Sequence, residues 1–206
     1  MRLFAFIIFV SVMLLATCSA PGTTPTPVRT DLLTLPANTE PFPAPTEAVP
    51  NPKLPAASFE SQTYFNEEAG FALDYPAGWT VNEVVIGDRG MQVQFLSSPA
   101  IAEMATLPEG ETRINATIYQ WDPKNDLSAF VANQKSAWDA SGFIVLEEEP
   151  LVLELGLPAV RFTVQTPEAN MVFLVTALED QYLVLSGEGD LELVKEIVQR
   201  VRPISH

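Results

Sequence analysis

Ten prolines fall between residues 19 and 57, among them Pro25, Pro27, Pro36, Pro41, Pro43, Pro45, Pro50, Pro52 and Pro55. Proline fixes φ and removes a backbone donor, so such a stretch forms neither a helix nor a central strand. Thr and Ala fill much of the remainder. The composition is that of an extended, disordered linker with polyproline II character. At full extension it reaches on the order of 100 Å, and as a flexible coil roughly 35 Å. Leu32, Leu33 and Leu35 form one small apolar cluster within it. Folding is therefore confined to residues 58–206, a length that supports a hydrophobic core of its own.

Ahead of the linker, Met1-Arg2 is followed by an apolar run from Leu3 to Thr17 broken only by Ser11 and Thr17. A spanning helix needs about 20 apolar residues, and this run of about 15 is too short. A basic start followed by a short apolar run has the form of a signal peptide, residues 1–17. Leu15-Ala16-Thr17-Cys18 resembles the lipobox of bacterial lipoproteins, with Thr17 where Gly or Ala is usual. The resemblance implies cleavage before Cys18, diacylglycerol on its sulfur and a fatty acid such as palmitate on the new N-terminus. The expected location is then extracytoplasmic, at a membrane. Ordinary secretion with cleavage after Ala20, and an uncut short anchor, are the competing readings.

Cys18 is the one cysteine and His206 the one histidine. No intramolecular disulfide can form, so the domain must be held by its core. A Ser-His-Asp triad, a Cys-His pair and a His-rich zinc site all lack their residues inside the domain. No Walker-type loop or Gly-x-Gly-x-x-Gly occurs. The expectation is a protein that is not an enzyme, with no cofactor and no metal. The domain carries 23 acidic and 8 basic residues, and the whole chain a net charge of −15. Nucleic-acid binding needs a cationic face for phosphate, so nucleic acid is not an expected partner. Glu147-Glu148-Glu149, Glu67-Glu68 and Glu179-Asp180 lack the spacing of a calcium loop and read as solvated turns and strand ends.

Within the domain, strand patterns dominate. Phe71, Leu73 and Tyr75 alternate with Ala72 and Asp74; Met91, Val93 and Phe95 with Gln92 and Gln94; Ile114, Ala116 and Ile118 with Asn115, Thr117 and Tyr119; Val160, Phe162 and Val164 with Arg161, Thr163 and Gln165. Each should bury one face. Met171–Ala177 and Tyr182–Leu185 are apolar on both faces and should be central. Gly87-Asp88-Arg89-Gly90 and Glu179-Asp180 are turn signals, and neighbours so close must pair antiparallel. A first helix is capped by Asp126, carries Leu127, Phe130, Val131 and Trp138 on one face and stops at Gly142. A second is capped by Asp190, aligns Val194, Ile197, Val198 and Val201, ends in Arg200 and Arg202 and stops at Pro203. The predicted fold class is α+β: an antiparallel sheet flanked by helices.

Gly70-Phe71-Ala72-Leu73-Asp74-Tyr75-Pro76-Ala77-Gly78-Trp79 resembles the opening of PsbP-like domains. Gly156-Leu157-Pro158-Ala159-Val160-Arg161-Phe162 resembles a later strand start in the same family, and the closing helix at Leu193–Val201 falls where theirs does. The resemblance spans about residues 62–203. It implies an α/β/α sandwich, shared with the Mog-type Ran-binding fold, and proteins that are mostly accessory or binding modules. Read physically, Pro76 ends a strand, Gly78 allows φ > 0 in a turn and Trp79 opens the next strand with a large apolar side chain.

The binding candidates are Tyr119 and Trp121, amphipathic aromatics at the end of a strand whose other face is buried; Trp121 folded under the first helix is the alternative. The expected function is a lipid-anchored accessory or interaction module that binds a protein or a cell-envelope component. A small-molecule or cation-binding receptor is the second reading and a hydrolase the third.

Overall fold

Tyr75-Pro76-Ala77-Gly78-Trp79 shows how locally the chain is steered. The Trp79 amide donates to the Pro76 carbonyl at 3.3 Å, and Gly78 lies at φ +85°, the conformation a type II turn demands at its third position. The turn links two strands that the structure assigns to different sheets. A computed structural model of the chain describes residues 54–85, 91–120, 126–179 and 181–204. Cys18, the residues named in the linker up to Pro52, the Gly87–Gly90 turn, Trp121, Asp180 and His206 lie outside the described residues.

The elements are β1 (Ser61–Asn66), β2 (Phe71–Pro76), β3 (Thr80–Val85), β4 (Met91–Leu96), β5 (Arg113–Gln120), α1 (Leu127–Ala140), β6 (Ile144–Val152), β7 (Pro158–Gln165), β8 (Asn170–Ala177), β9 (Gln181–Glu188), α2 (Leu191–Val198) and β10 (Val201–Pro203). One sheet has three strands, ordered β1-β2-β10, and the other seven, ordered β3-β4-β5-β9-β8-β7-β6. Every pairing between them is antiparallel. The class is α+β, as expected, with two sheets where the sequence predicts one. The large sheet is two meanders, β3-β4-β5 and β6-β7-β8-β9, joined edge to edge where β5 pairs with β9.

Alternating residues of the large sheet feed two separate cores. Val93, Phe95, Ile114, Ala116, Ile118, Val172, Leu174, Leu183 and Leu185 pack with α2 (Val194, Ile197, Val198) and with the small sheet (Phe71, Leu73, Tyr75, Val201). The opposite face of β7–β9 contributes Phe162, Val164, Phe173, Val175 and Val184, which pack with Val131 and Trp138 of α1. The central strands β8 and β9 are thus covered on both faces, which explains their unbroken apolar runs. Both predicted caps are made. Asp126 Oδ1 accepts from the Ala129 amide at 2.8 Å, and Asp190 Oδ1 accepts from the Glu192 and Leu193 amides at 3.1 and 3.2 Å.

The second helix is shorter than the periodicity predicts. It ends at Val198, and Val201–Pro203 continue as β10, antiparallel to β2. Val201 keeps the apolar rhythm because it enters the same core from a strand. Arg200 and Arg202 therefore do not serve the helix terminus. The Arg200 guanidinium donates to the Pro55 carbonyl at 3.1 Å and to Glu196 at 3.0 Å, and Arg202 pairs with Asp74 at 3.0 Å.

The Glu147–Glu149 run is neither turn nor strand end; it is the middle of β6, an edge strand of the large sheet. Glu148 bonds Lys135 of α1 on one face. Glu149 bonds Arg161, and Glu147 accepts from Thr163 Oγ1 at 2.8 Å, on the other. The hydrogen bond from Thr163 and the charge of Lys195 hold the Glu147 carboxyl below its ordinary range. A register shift between Val145 and Glu147, the three carboxylates and Pro150 all blunt this edge against further strand pairing.

Candidate functional site

β3, β4 and β5 send Val81, Val93, Phe95, Ile114, Ala116 and Ile118 into the core shared with α2. Strand alternation then places Thr80, Asn82, Val84, Gln92, Gln94, Leu96, Arg113, Asn115, Thr117 and Tyr119 on the opposite face. α1 packs over β6–β9 on that face. Beyond it the sheet presents polar side chains that are half-buried among themselves, with Val84 and Tyr119 exposed.

Register turns these residues into rows. Asn82 lies opposite Gln94, Gln94 opposite Asn115, and Asn115 opposite Ser186. This row of three amides and one hydroxyl crosses four strands and ends at Phe173, a residue of the core beneath α1. At strand spacings of about 4.8 Å the four side chains span roughly 14 Å. The neighbouring row runs Val84, Gln92, Thr117, Val184, with Gln92 Nε2 donating to Thr117 Oγ1 at 3.4 Å. Asn115 Oδ1 is buried and takes no hydrogen bond.

Each end of this face has its own boundary. On one side the row Thr80, Leu96, Arg113, Glu188 closes with an ion pair between Arg113 and Glu188, both largely buried. Arg113 Nη1 also donates to the carbonyls of Met104 (2.8 Å) and Ile101 (3.4 Å), which draws the β4–β5 connection over that end. At the other end Tyr119 lies opposite Tyr182. The Tyr119 ring meets Phe130 of α1 at 5.6 Å, and Phe130 stacks on Tyr182 at 4.0 Å. Burial raises the Tyr119 hydroxyl pKa, so it remains a neutral donor. Tyr119 is 38% exposed, and it is the one predicted candidate that falls among the described residues. The alternation of β4 and β5 makes the polar face legible in the sequence, but nothing in it brings Ser186 beside Asn115.

Three concavities among the described residues lie elsewhere. The largest, about 690 Å³, runs between Pro55–Ser58 and α2 and is lined by Arg161, Asp190, Lys195 and Glu196. The others, about 410 and 300 Å³, sit under the 105–111 loop and beside Gly70 and Leu178. The charges of the first are engaged in bonds within the protein. Lys195 bonds Glu192 and Arg161 bonds Glu149, while Glu196 accepts from the Ser58 amide at 2.8 Å and its hydroxyl at 2.6 Å. Among the described residues no group of three or more His, Cys, Asp or Glu is placed to hold a metal ion, and no helix is long and apolar enough to cross a membrane.

The chain matches no protein-family model, and no curated protein sequence matches it. Among solved structures it is similar to the cyanobacterial PsbP (CyanoP) of Synechocystis sp. PCC 6803, at 13% identity over 72% of this chain and 95% of that one, with a TM-score of 0.49. It is also similar to PA94, a protein of unknown function from Pseudomonas aeruginosa, at 16% identity over 71% of this chain and 99% of that one, with a TM-score of 0.44.

Proposed function

We propose that the chain is a membrane-anchored extracytoplasmic lipoprotein whose domain is a non-catalytic binding module for a component of the cell envelope. In this reading Cys18 carries the lipid, residues 18–57 are the spacer, and the domain is a PsbP-like α/β/α sandwich. The binding surface is the polar face of β3, β4, β5 and β9. The cross-strand row Asn82, Gln94, Asn115, Ser186 carries the reading. It gathers donors and acceptors on a rigid sheet, and the row holds no base to activate Ser186 and no paired carboxylates.

The anchor and the surface are tested separately. Cys18→Ser in the full precursor is expected to move the protein from the membrane to the soluble fraction. An unmodified Cys18 in the native protein, read by mass spectrometry, would overturn the anchor. For the surface, mature Cys18→Ser protein is sedimented with isolated cell envelopes. Gln94→Ala combined with Asn115→Ala should reduce saturable co-sedimentation at least fivefold while the urea midpoint shows the domain folded. Equal co-sedimentation of variant and parent would overturn the placement of the surface.

A further inference from the structure

We infer that the polar face of β3, β4, β5 and β9 docks an uncharged polysaccharide strand. The inference rests on the proposed binding surface and names its ligand class. Charge complementarity comes first. The chain has a net charge of −15, which repels polyanions at any surface lacking cations of its own. Among the described residues the only charged side chains on this face are Arg113 and Glu188, and they neutralise each other. An anionic polymer finds no free cation in these rows, whereas a neutral one meets no penalty.

The chemistry of the lining points the same way. Each of Asn82, Gln92, Gln94 and Asn115 offers a carbonyl acceptor and an NH2 donor, and Thr117 and Ser186 offer hydroxyls that do both. Sugar hydroxyls also donate and accept at once, so neighbouring hydroxyls on a chain can pair with neighbouring amides on the row. The row crosses four strands and is roughly 14 Å long, the dimension of a few linked rings. Tyr119, 38% exposed at the end of the face and braced from behind by Phe130, presents a fixed aromatic surface to the C–H side of a ring.

The other macromolecular occupants fit less well. Protein interfaces centre on buried aromatic, Met or Arg anchors inserted into pockets. Here the exposed apolar side chains are Val84 and Tyr119 on the strands and Met104 in the β4–β5 connection, all at the margin of the amide rows. A nucleic acid or an anionic membrane would require a basic face.

The test is a 15N–1H NMR titration of the mature Cys18→Ser chain with three neutral tetrasaccharides, chitotetraose, cellotetraose and maltotetraose. A sulfated heparin tetrasaccharide is the anionic control. At least one neutral sugar is expected to shift the side-chain amide signals of Asn82, Gln94 and Asn115 saturably, and the sulfated sugar to leave them unmoved. Gln94→Ala, and separately Gln92→Ala, should each weaken that binding at least fivefold with an unchanged urea midpoint. Silence of all three neutral sugars would overturn the inference. So would shifts confined to the groove beside Glu196, or equal binding of the sulfated sugar. If the sugars fail while co-sedimentation with envelopes still depends on Gln94 and Asn115, the ligand class is wrong and the binding surface stands. If co-sedimentation is also independent of both residues, the surface itself is refuted.

Discussion

Gly187 stands on β9 where α2 crosses the sheet. A Cβ built on it would lie 2.5 Å from Val194 Cγ1 and 3.1 Å from Ile114 Cγ1, both in fully buried side chains. The glycine is therefore the gap through which the helix reaches the strand. Gly187→Ala should destabilise the domain by about 1–3 kcal/mol through overpacking, measured as a lower urea midpoint. A midpoint equal to wild type would show that α2 can lift away freely. Trp79 is the complementary case. The sequence reads it as the large apolar side chain that opens a strand, and the structure leaves it half-buried against the main core. Its position next to the Gly78 turn, at the first residue before β3, gives it only one packed side. Complete truncation of a buried Trp costs about 3–5 kcal/mol, so Trp79→Ala should cost roughly half of that, about 2 kcal/mol. A loss below about 0.5 kcal/mol would mark it as a surface residue. The turn and its glycine were readable from the local sequence. The degree of burial was not, because it depends on how the small sheet lies over β3.

At the scale of elements, the segment that leads into β1 behaves as a strap on α2. Ser58 bonds Glu196 through both its amide and its hydroxyl, the Pro55 carbonyl accepts from Arg200, and the Arg200 guanidinium lies 5.6 Å from the centre of the Phe59 ring. Burial pushes the Glu196 carboxyl up, but the bonds from Ser58 and the Arg200 charge outweigh it, and the net shift is downward. A carboxyl with a depressed folded-state pKa adds stability that is complete above its unfolded pKa, about 4.3. That contribution is lost as pH falls through the folded value. Glu196→Gln should therefore flatten the pH dependence of stability below about pH 5 and leave its slope near neutrality unchanged. An identical acid limb in both proteins would show that the strap contributes nothing. The edge strand β6 is the other element whose role emerged from its surroundings. The Glu147–Glu149 run reads as solvated in the sequence. In the fold its carboxylates alternate across the strand and meet Lys135 on one face and Arg161 on the other.

For the whole molecule, the boundary of the folded unit is the first consequence. The sequence sets it at residue 58, where the proline-rich composition ends. Pro55 is nevertheless bonded to Arg200, so a chain beginning at residue 54 should melt higher than one beginning at residue 58. A gain of a few degrees is expected from one restored hydrogen bond to a charged group, worth about 1.5–3 kcal/mol. Equal melting temperatures would keep the boundary at residue 58. By itself the sequence determined the alternating faces of β2, β4, β5 and β7, the buried character of β8 and β9, and both helix caps. These are matters of backbone chemistry and of periods two and 3.6, and they are settled over a few residues. Only the tertiary structure decided that β2 and β10 leave the large sheet, that β5 pairs with β9, and that Asn82, Gln94, Asn115 and Ser186 consequently stand in one row. Asn115 and Ser186 are 71 positions apart in the chain. No local pattern encodes which two strand edges meet. That choice depends on burying both cores at once, one beneath α1 and the other beneath α2 and the small sheet.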